Sequence, residues 1–351
     1  MSDYLLYQLG AFGLASGETL LDATLAYETH GELNSRRDNA VLLLTWYTGT
    51  HRTYRQIIGA GRALDPAHHF IIVVNMFGNG LSSSPSNSQH QPGPRFPLVS
   101  VGDNVRAQHQ LVTAHLGIDR LALVCGWSMG AMQAWHWAAA YAPMVGALLP
   151  ICGSARCWPL NTVFLAGIKA VLQADPAFDQ GYYRTPPLSG LAAFARVYAG
   201  WAYCATFYRE QRYRTLGFDS IEALLCAWER DHQAWDANDL LCMLSTWQQA
   251  DIGLAPPFAG DLDAALGAIT ATTIVMPCNT DLYFTQDEAL MEFRYLKQAQ
   301  WRPIISPYGH CAGAPGRFPD ETAFIEQAIR ELLSGDDASS GRSGRQDGGV
   351  K

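Results

Sequence analysis

Short, nearly continuous runs of apolar residues recur along the first half of the chain and return once near its end. Runs of this length, apolar on both faces, are typical of strands buried inside a parallel sheet. Helical patterns separate them, and strands that alternate with helices predict a doubly wound, mostly parallel α/β sheet. An antiparallel hairpin is expected before it, around residues 18–33. The predicted strands are 40–46, 69–76, 121–126, 147–153 and 272–278, and the clearest helices are 104–118 and 132–142.

This alternation stops after about residue 153, and residues 159–260 contain helical stretches rich in aromatic residues but no convincing strand. A helical insertion that interrupts an α/β core is typical of a lid over the carboxyl ends of the strands. The last residues are rich in Gly, Ser and Asp and have no apolar anchors, which predicts disorder. We therefore assign residues 1–155 and 265–334 to the core, 156–264 to a helical lid and 335–351 to a disordered tail.

The charge pattern narrows the function classes. The formal net charge is −8 and no block of Lys or Arg occurs, which argues against nucleic acid or an anionic membrane as the main partner. No apolar run is long enough to cross a bilayer, and the first residues do not resemble a signal peptide. The eight cysteines form no C-x-x-C pair and show no zinc spacing. We expect reduced core cysteines, no metal, and a cytoplasmic enzyme.

The segment that joins the third of these strands to the next helix has the sequence G-W-S-M-G, residues 126–130. A G-x-S-x-G pattern between a strand and a helix predicts a sharp turn that exposes a nucleophilic serine, here Ser128. A serine that only caps the following helix would be a simpler explanation. Capping does not require a glycine on both sides, so the pattern favours the nucleophile.

A serine nucleophile needs a base, and the base needs an acid that orients it. In this architecture the order along the chain is Ser, then Asp or Glu, then His. Asp281 follows the strand at 272–278, and His310 follows the next apolar run, one helix further along. Asp287 is an alternative acid, but it opens a predicted helix. Of the ten histidines, only His310 lies in a late loop of this kind; His109, His115 and His136 lie within predicted helices.

A serine that attacks a carbonyl also needs N–H donors for the oxyanion. The backbone N–H of Met129 is the expected first donor. The second donor is expected from the loop after the first parallel strand, T-W-Y-T-G-T-H at 45–51. Tyr47 is our choice for this donor, with Trp46 as the alternative.

These pieces occur in the order found in a known family. The chain resembles the homoserine O-acetyltransferase family of the α/β-hydrolase superfamily over about residues 10–330. The resemblance implies a triad of Ser128, Asp281 and His310, and a lid that also forms a homodimer interface. The motifs that carry it are TWYTGTH, NMFGNGLSSSPSN, DNVRAQHQLVTAHLGI, GWSMGAMQAWHWA, GSAR, GLAAFAR, WDANDLL, NTDLYF and YGHCAG.

Several positions depart from the family. Members that acetylate homoserine carry Asp directly after the histidine, where it helps to hold the substrate's amino group; this chain has Cys311. Trp127 precedes the serine in place of a glycine, and Thr280 replaces a common serine. Arg209 takes the place of the arginine that binds the substrate carboxylate. An ammonium group without its carboxylate partner costs several kcal/mol, about the range for a broken buried ion pair, so homoserine is a poor acceptor candidate.

We therefore predict acyl transfer through an acyl-Ser128 intermediate, with water as the preferred acceptor and a small or medium carboxylic ester as substrate. An O-acyltransferase that uses acetyl-CoA as co-substrate and a hydroxyl compound other than homoserine is the alternative. A non-catalytic binding protein is a third possibility, but such proteins usually lose a triad member. No cofactor is implied. Candidate substrate contacts are Trp46, Trp127, Arg209 and Cys311. The lid is also rich in aromatic residues, which either form an apolar substrate pocket or only pack in the core: Trp158, Trp201, Tyr203, Tyr208 and Trp247.

Overall fold

The computed structural model describes the backbone of residues 3–340 and the side chains of residues 3–334. Its core is one eight-stranded sheet with the strand order β1-β2-β4-β3-β5-β6-β7-β8. β1 and β2 are antiparallel, β2 also pairs antiparallel with β4, and the remaining pairs are parallel. The strands are β1 Leu5–Gly13, β2 Thr19–His30, β3 Ala40–Leu44, β4 Phe70–Val74, β5 Leu121–Trp127, β6 Val145–Ile151, β7 Thr272–Val275 and β8 Ala299–Trp301. The predicted sheet is confirmed. An antiparallel hairpin does precede it, but the hairpin consists of β1 and β2, and residues 19–30 form only its second strand.

Helices cover both faces of this sheet, and every residue of β3 and β5 is buried. Burial on both faces is why these strands are apolar without alternation. α3 packs against β5 and β6 and is buried along almost its whole length. The helices are α1 His51–Tyr54, α2 Val101–Gln110, α3 Met129–Ala140, α4 Pro159–Gln173, α5 Leu188–Ala202, α6 Ala205–Arg209, α7 Ile221–Gln233, α8 Ala237–Gln248, α9 Leu262–Gly267, α10 Gln286–Phe293 and α11 Pro319–Ser340.

Some boundaries differ from the prediction. The strand before the His310 loop is β8, not the apolar run that follows it. Beyond β8, Pro303 has no N–H for the ladder, and pairing continues only as an isolated bridge between Cys278 and Ile304. α2 also ends sooner than expected, because a π-helical turn at Leu111–His115 takes over its last residues.

The insertion leaves the sheet after β6 and returns before β7, and within the described residues 156–264 contain helices and turns but no strand. Its two ends lie side by side. The Cys157 N–H donates to the Ala250 carbonyl (2.7 Å), the Ile252 N–H donates to the Ala155 carbonyl (3.0 Å), and Arg156 forms an ion pair with Asp251. We call this pair of segments, residues 155–157 and 250–252, the stalk. The predicted boundary at 264/265 falls inside α9, so the separate helical unit ends earlier, at the stalk.

The C-terminal prediction is wrong for six residues. α11 continues to Ser340, so residues 335–340 of the predicted disordered tail are helical. Adding a residue to an existing helix is far easier than starting one, and polar residues can extend a helix whose first turns are packed. The rest of the predicted tail, 341–351, lies outside the described residues. Within 3–340, no helix has both the length and the apolar composition needed to span a membrane.

Candidate active site

Ser128 occupies the single residue between β5 and α3. Its backbone lies at φ 59° and ψ −127°, outside the regions that non-glycine residues favour, and its side chain does not cap α3. The flanking glycines allow the turn: a Cβ at Gly126 would lie 2.2 Å from the Gly130 carbonyl, and a Cβ at Gly130 would lie 2.2 Å from the Leu44 carbonyl oxygen. The turn therefore directs the hydroxyl away from the helix, and the capping explanation does not hold.

The structure brings together the three side chains that the sequence singled out. Ser128 Oγ lies 2.9 Å from His310 Nε2, and His310 Nδ1 lies 2.7 Å from Asp281 Oδ2. All three residues are buried. Because the carboxylate accepts from Nδ1–H, the Nε2 atom of a neutral imidazole carries the lone pair that faces the serine hydroxyl. Asp287 lies in the first turn of α10 and is not part of this chain of hydrogen bonds.

Loop contacts hold the acid and the histidine in place. Asp281 Oδ1 accepts the backbone N–H groups of Tyr283 (2.8 Å) and Phe284 (3.2 Å), which leaves Oδ2 for the histidine. The Thr280 hydroxyl donates to the Ser306 carbonyl (2.7 Å) and accepts the Gly309 N–H (3.2 Å). One threonine thus joins the loop that carries the acid to the loop that carries His310.

Aromatic rings enclose the imidazole of His310. The Trp127 ring stacks on it at 4.9 Å between centroids, and Tyr283 meets it edge-on at 4.8 Å. The indole N–H of Trp127 also donates to the His310 carbonyl (3.2 Å). The tryptophan that replaces a glycine beside the serine therefore fixes the ring and backbone of the histidine.

The two predicted oxyanion donors lie at the same end of the sheet as Ser128. Met129 is the first residue of the 12-residue helix α3, so the positive end of the helix dipole adds to its N–H. Tyr47 follows β3, and within residues 3–340 no acceptor takes the N–H of either residue. The Trp46 ring packs edge-on against Trp127 at 4.8 Å. Both Trp46 and Tyr47 line the cavity described next, so the choice between them stays a prediction.

A cavity of about 450 Å³ opens onto Ser128 and His310 between the core and the lid. Three of the four predicted substrate contacts line it: Trp46, Trp127 and Cys311. Arg209 does not line it. This residue is exposed at the end of α6, where its guanidinium donates to the Thr206 hydroxyl (2.9 Å). Phe207 of the same helix is buried, whereas Arg209 is exposed, so Arg209 is corrected to a surface residue.

The aromatic residues of the lid that suggested an apolar pocket serve packing instead, since none of the five lines the cavity. Trp158, for example, donates its indole N–H to Glu292 (2.8 Å). The lid contributes other residues, mainly one face of α7: Leu224, Ala227, Trp228, Asp231 and His232. The first four have the spacing i, i+3, i+4 and i+7, so helical periodicity was the signal that could have identified this face.

Arg317 is a cavity residue that sequence reasoning missed. It follows the histidine loop, and its guanidinium donates to the Tyr203 hydroxyl (2.6 Å). A single arginine in a Gly- and Pro-containing loop has no pattern that distinguishes it from a surface residue. Among the described residues, no group of three or more His, Cys, Asp or Glu side chains is arranged to hold a metal ion, and all eight cysteines are free.

Comparison with known proteins identifies the family of the chain. The sequence profile of the α/β-hydrolase fold family matches residues 39–219. The chain is 39% identical to ethyl acetate hydrolase of Pseudomonas veronii, over 94% of this chain and 95% of that protein. It is 32% identical to homoserine O-acetyltransferase of Symbiobacterium thermophilum, over 91% of each chain. The solved structure of the acetyl esterase MekB has a TM-score of 0.92 and 38% identity, covering 95% of this chain and 97% of that one. The chain therefore belongs to the α/β-hydrolase fold family, in the group that contains ester hydrolases and homoserine O-acetyltransferases.

Proposed function

We propose that this protein hydrolyses small carboxylic esters through a covalent acyl-Ser128 intermediate. The observation that carries the proposal is the unbroken chain of hydrogen bonds from Asp281 through His310 to Ser128, whose last two members line a cavity. The ester hydrolases among the relatives support the same conclusion.

In the first half-reaction, Ser128 Oγ attacks the ester carbonyl carbon while His310 Nε2 takes the hydroxyl proton. The negative charge on the carbonyl oxygen is stabilised by the N–H groups of Met129 and Tyr47. Asp281 accepts the Nδ1–H bond and stabilises the imidazolium. When the tetrahedral intermediate collapses, the ester C–O bond breaks, and the proton on Nε2 goes to the departing alcohol.

In the second half-reaction, a water molecule takes the place of the alcohol. His310 Nε2 removes a proton from this water as its oxygen attacks the acyl carbon. The bond to Ser128 Oγ then breaks, the proton returns from Nε2 to Oγ, and a carboxylic acid is released. The products are one alcohol and one acid for each ester and water consumed, and Ser128 is regenerated.

The residues around the histidine favour water over homoserine as the acceptor. Cys311 stands where a carboxylate would hold the amino group of homoserine, and it is buried beside His310. Arg209 lies outside the cavity and is not placed to bind a carboxylate there. Transfer from acetyl-CoA to another hydroxyl compound is the competing activity, and the acetyltransferase relatives are the reason to test it.

The test is the time course of p-nitrophenyl acetate cleavage, with mass spectrometry of the intact protein during turnover. We expect rapid release of p-nitrophenol, an acetyl group on Ser128, and free acetate as the end product. Ser128→Ala should lower turnover by about 10⁴-fold or more, whereas Ser334→Ala, an exposed serine on α11, should not change it.

The same reactions are then run with acetyl-CoA and a panel of hydroxyl compounds. Acetate appearing on one acceptor faster than on water, with release of free CoA, would overturn the hydrolase proposal in favour of an acyltransferase. Full activity in Ser128→Ala would overturn the covalent mechanism.

A further inference from the structure

Two residues that line the cavity each carry a buried side-chain polar atom that has no hydrogen-bond partner within residues 3–334. These atoms are the hydroxyl of Tyr47 and Nε2 of His232. The two residues are only 4% and 1% exposed, and both line the cavity that opens onto Ser128. A buried polar group without a partner costs about 1–3 kcal/mol. Such a pair at the wall of a substrate cavity points to a ligand group that would satisfy both.

The hydrogen-bonding roles of the two atoms follow from their surroundings. His232 Nδ1 lies 3.0 Å from the Trp228 carbonyl, which can only accept, so Nδ1 carries the proton. Burial lowers the pKa of His232 and keeps the ring neutral, so Nε2 is an acceptor. Burial raises the pKa of Tyr47 well above its usual value, so its hydroxyl keeps its proton and can donate. One atom thus offers a donor and the other an acceptor.

Stacked aromatic rings keep the two residues close together. The ring centroids of Tyr47 and His232 are 6.2 Å apart, and Tyr198 packs against both, at 5.1 Å from Tyr47 and 5.7 Å from His232. These ring contacts leave the two side chains little freedom to rotate. The residue that donates and the residue that accepts therefore belong to one packed aromatic cluster that borders the cavity.

We propose that Tyr47 and His232 form a subsite that binds a neutral hydroxyl group of the substrate, so that the preferred substrates are hydroxyl-bearing esters. This inference rests on the proposed ester hydrolysis. A hydroxyl group accepts from the Tyr47 hydroxyl and donates to His232 Nε2, which satisfies both atoms. A carbonyl or ether oxygen can only accept, and it would leave Nε2 unpartnered. A methyl group at the same place would leave both atoms unpartnered.

The charges of the cavity wall favour a neutral ligand. Apart from the histidines, the titratable residues of opposite charge that line the cavity are Arg317 and Asp231. The Asp231 side chain is 64% exposed, so water screens its charge. The Asp231 carboxylate contacts the His232 ring at Nδ1 (3.5 Å), so an ammonium group held at Nε2 would be paired only with this screened charge, and its desolvation would be poorly offset.

The test compares esters that differ only by a hydroxyl or a methyl group. 2-Hydroxyethyl acetate is compared with n-propyl acetate, which places the hydroxyl in the alcohol part. Ethyl glycolate is compared with ethyl propionate, which places it in the acyl part. We expect kcat/KM to favour the hydroxyl ester by about tenfold or more in at least one pair, and that pair identifies the part of the ester that reaches the subsite.

Tyr47→Phe removes the donor and keeps both the ring and the backbone N–H. We expect it to lower the ratio of kcat/KM for the hydroxyl ester to kcat/KM for the methyl ester by about fivefold to tenfold, even if it changes kcat/KM for both esters. His232→Phe should lower the same ratio, and the double variant should lower it by less than the product of the two effects. Tyr182→Phe, an exposed tyrosine outside the cavity, should leave the ratio unchanged.

Equal kcat/KM within both pairs, or a preference that survives Tyr47→Phe, would overturn the subsite while leaving the ester hydrolase proposal intact. If no ester is hydrolysed, the proposed function fails, and the subsite is tested by calorimetric binding of the same four esters to Ser128→Ala. Preferential binding of the hydroxyl esters would then support the subsite, and equal binding would refute it.

Discussion

Thr280→Val is the sharpest probe of how the loops position His310. The substitution keeps the shape of the side chain but removes its two hydrogen bonds to the His310 loop: the one that Thr280 donates to the Ser306 carbonyl (2.7 Å) and the one that it accepts from the Gly309 N–H (3.2 Å). A hydrogen bond contributes about 0.5–1.5 kcal/mol, so the free energy of unfolding should fall by about 1–3 kcal/mol.

Loss of these two hydrogen bonds should also lower kcat/KM for ester cleavage. Without the threonine hydroxyl, the two loops keep only their other contacts, such as the Ser306 N–H bond to Asn279 Oδ1 (3.0 Å), and the imidazole of His310 is aligned less firmly. If the whole loss of free energy appears in the transition state, kcat/KM falls by about 5-fold to 150-fold. The 150-fold value applies only if no other contact of the two loops aligns the imidazole when substrate is bound.

Urea unfolding and kcat/KM for p-nitrophenyl acetate measure the two effects. Thr280→Ser is the matched control, since its hydroxyl can make both bonds, and it should retain activity near that of the unchanged protein. A Thr280→Val variant that loses stability but keeps full kcat/KM would refute the positioning role. Equal losses in both variants would show that the methyl group, and not the hydroxyl, matters.

Three further predictions concern single residues. Asp281→Asn should lower kcat by about 10³-fold to 10⁴-fold with little change in the urea midpoint, because an amide N–H facing His310 Nδ1 moves the imidazole proton to Nε2; an activity loss below tenfold would contradict this. Burial raises the pKa of Glu292, which accepts the Ala155 N–H, to about 8, above the usual value of 4.5. The folded protein therefore holds a proton that the unfolded chain releases, and this part of the stability is lost as pH rises between these values. Urea unfolding at about pH 6 and about pH 8 should show a loss of about 2–3 kcal/mol that is absent in Glu292→Gln, and identical profiles would exclude it. Arg209→Ala should change KM and kcat by no more than about twofold relative to the unchanged protein. A large rise in KM would show that Arg209 contacts the substrate.

Much of the fold and of the candidate site follows from local sequence signals. Ser128 was identifiable because a strand, a tight glycine-flanked turn and a helix are contiguous in the chain. Asp281 and His310 were identifiable because parallel strands bring their following loops to one edge of the sheet. Their chemical roles remain predictions, but their proximity is a property of the topology.

The inner surface of the lid could not be predicted in the same way. Which face of a lid helix meets the cavity depends on packing between helices that are distant in sequence, so aromatic content was a poor guide and Trp247 proved to be core. Arg209 and Arg317 carry the same group and are both exposed, and only the course of the chain decides that Arg317 also lines the cavity. His232 on α7 was missed because a helical histidine is more often a packing or surface residue.

The stalk allows the lid to change in length and sequence without displacing the core. Its two segments enter and leave the sheet as hydrogen-bonded neighbours, so the chain between residues 157 and 250 is a closed loop whose ends are already fixed. Changing the length of such a loop adds little closure entropy, about 0.6 kcal/mol for each doubling. Insertions, deletions or whole exchanges of helices can therefore occur beyond the stalk while Ser128, Asp281 and His310 keep their places on the sheet. A chimera that joins this core to the lid of a homologous acetyltransferase at the stalk should therefore keep Ser128, Asp281 and His310 in place, and it should also keep Cys311, because all four residues belong to the core.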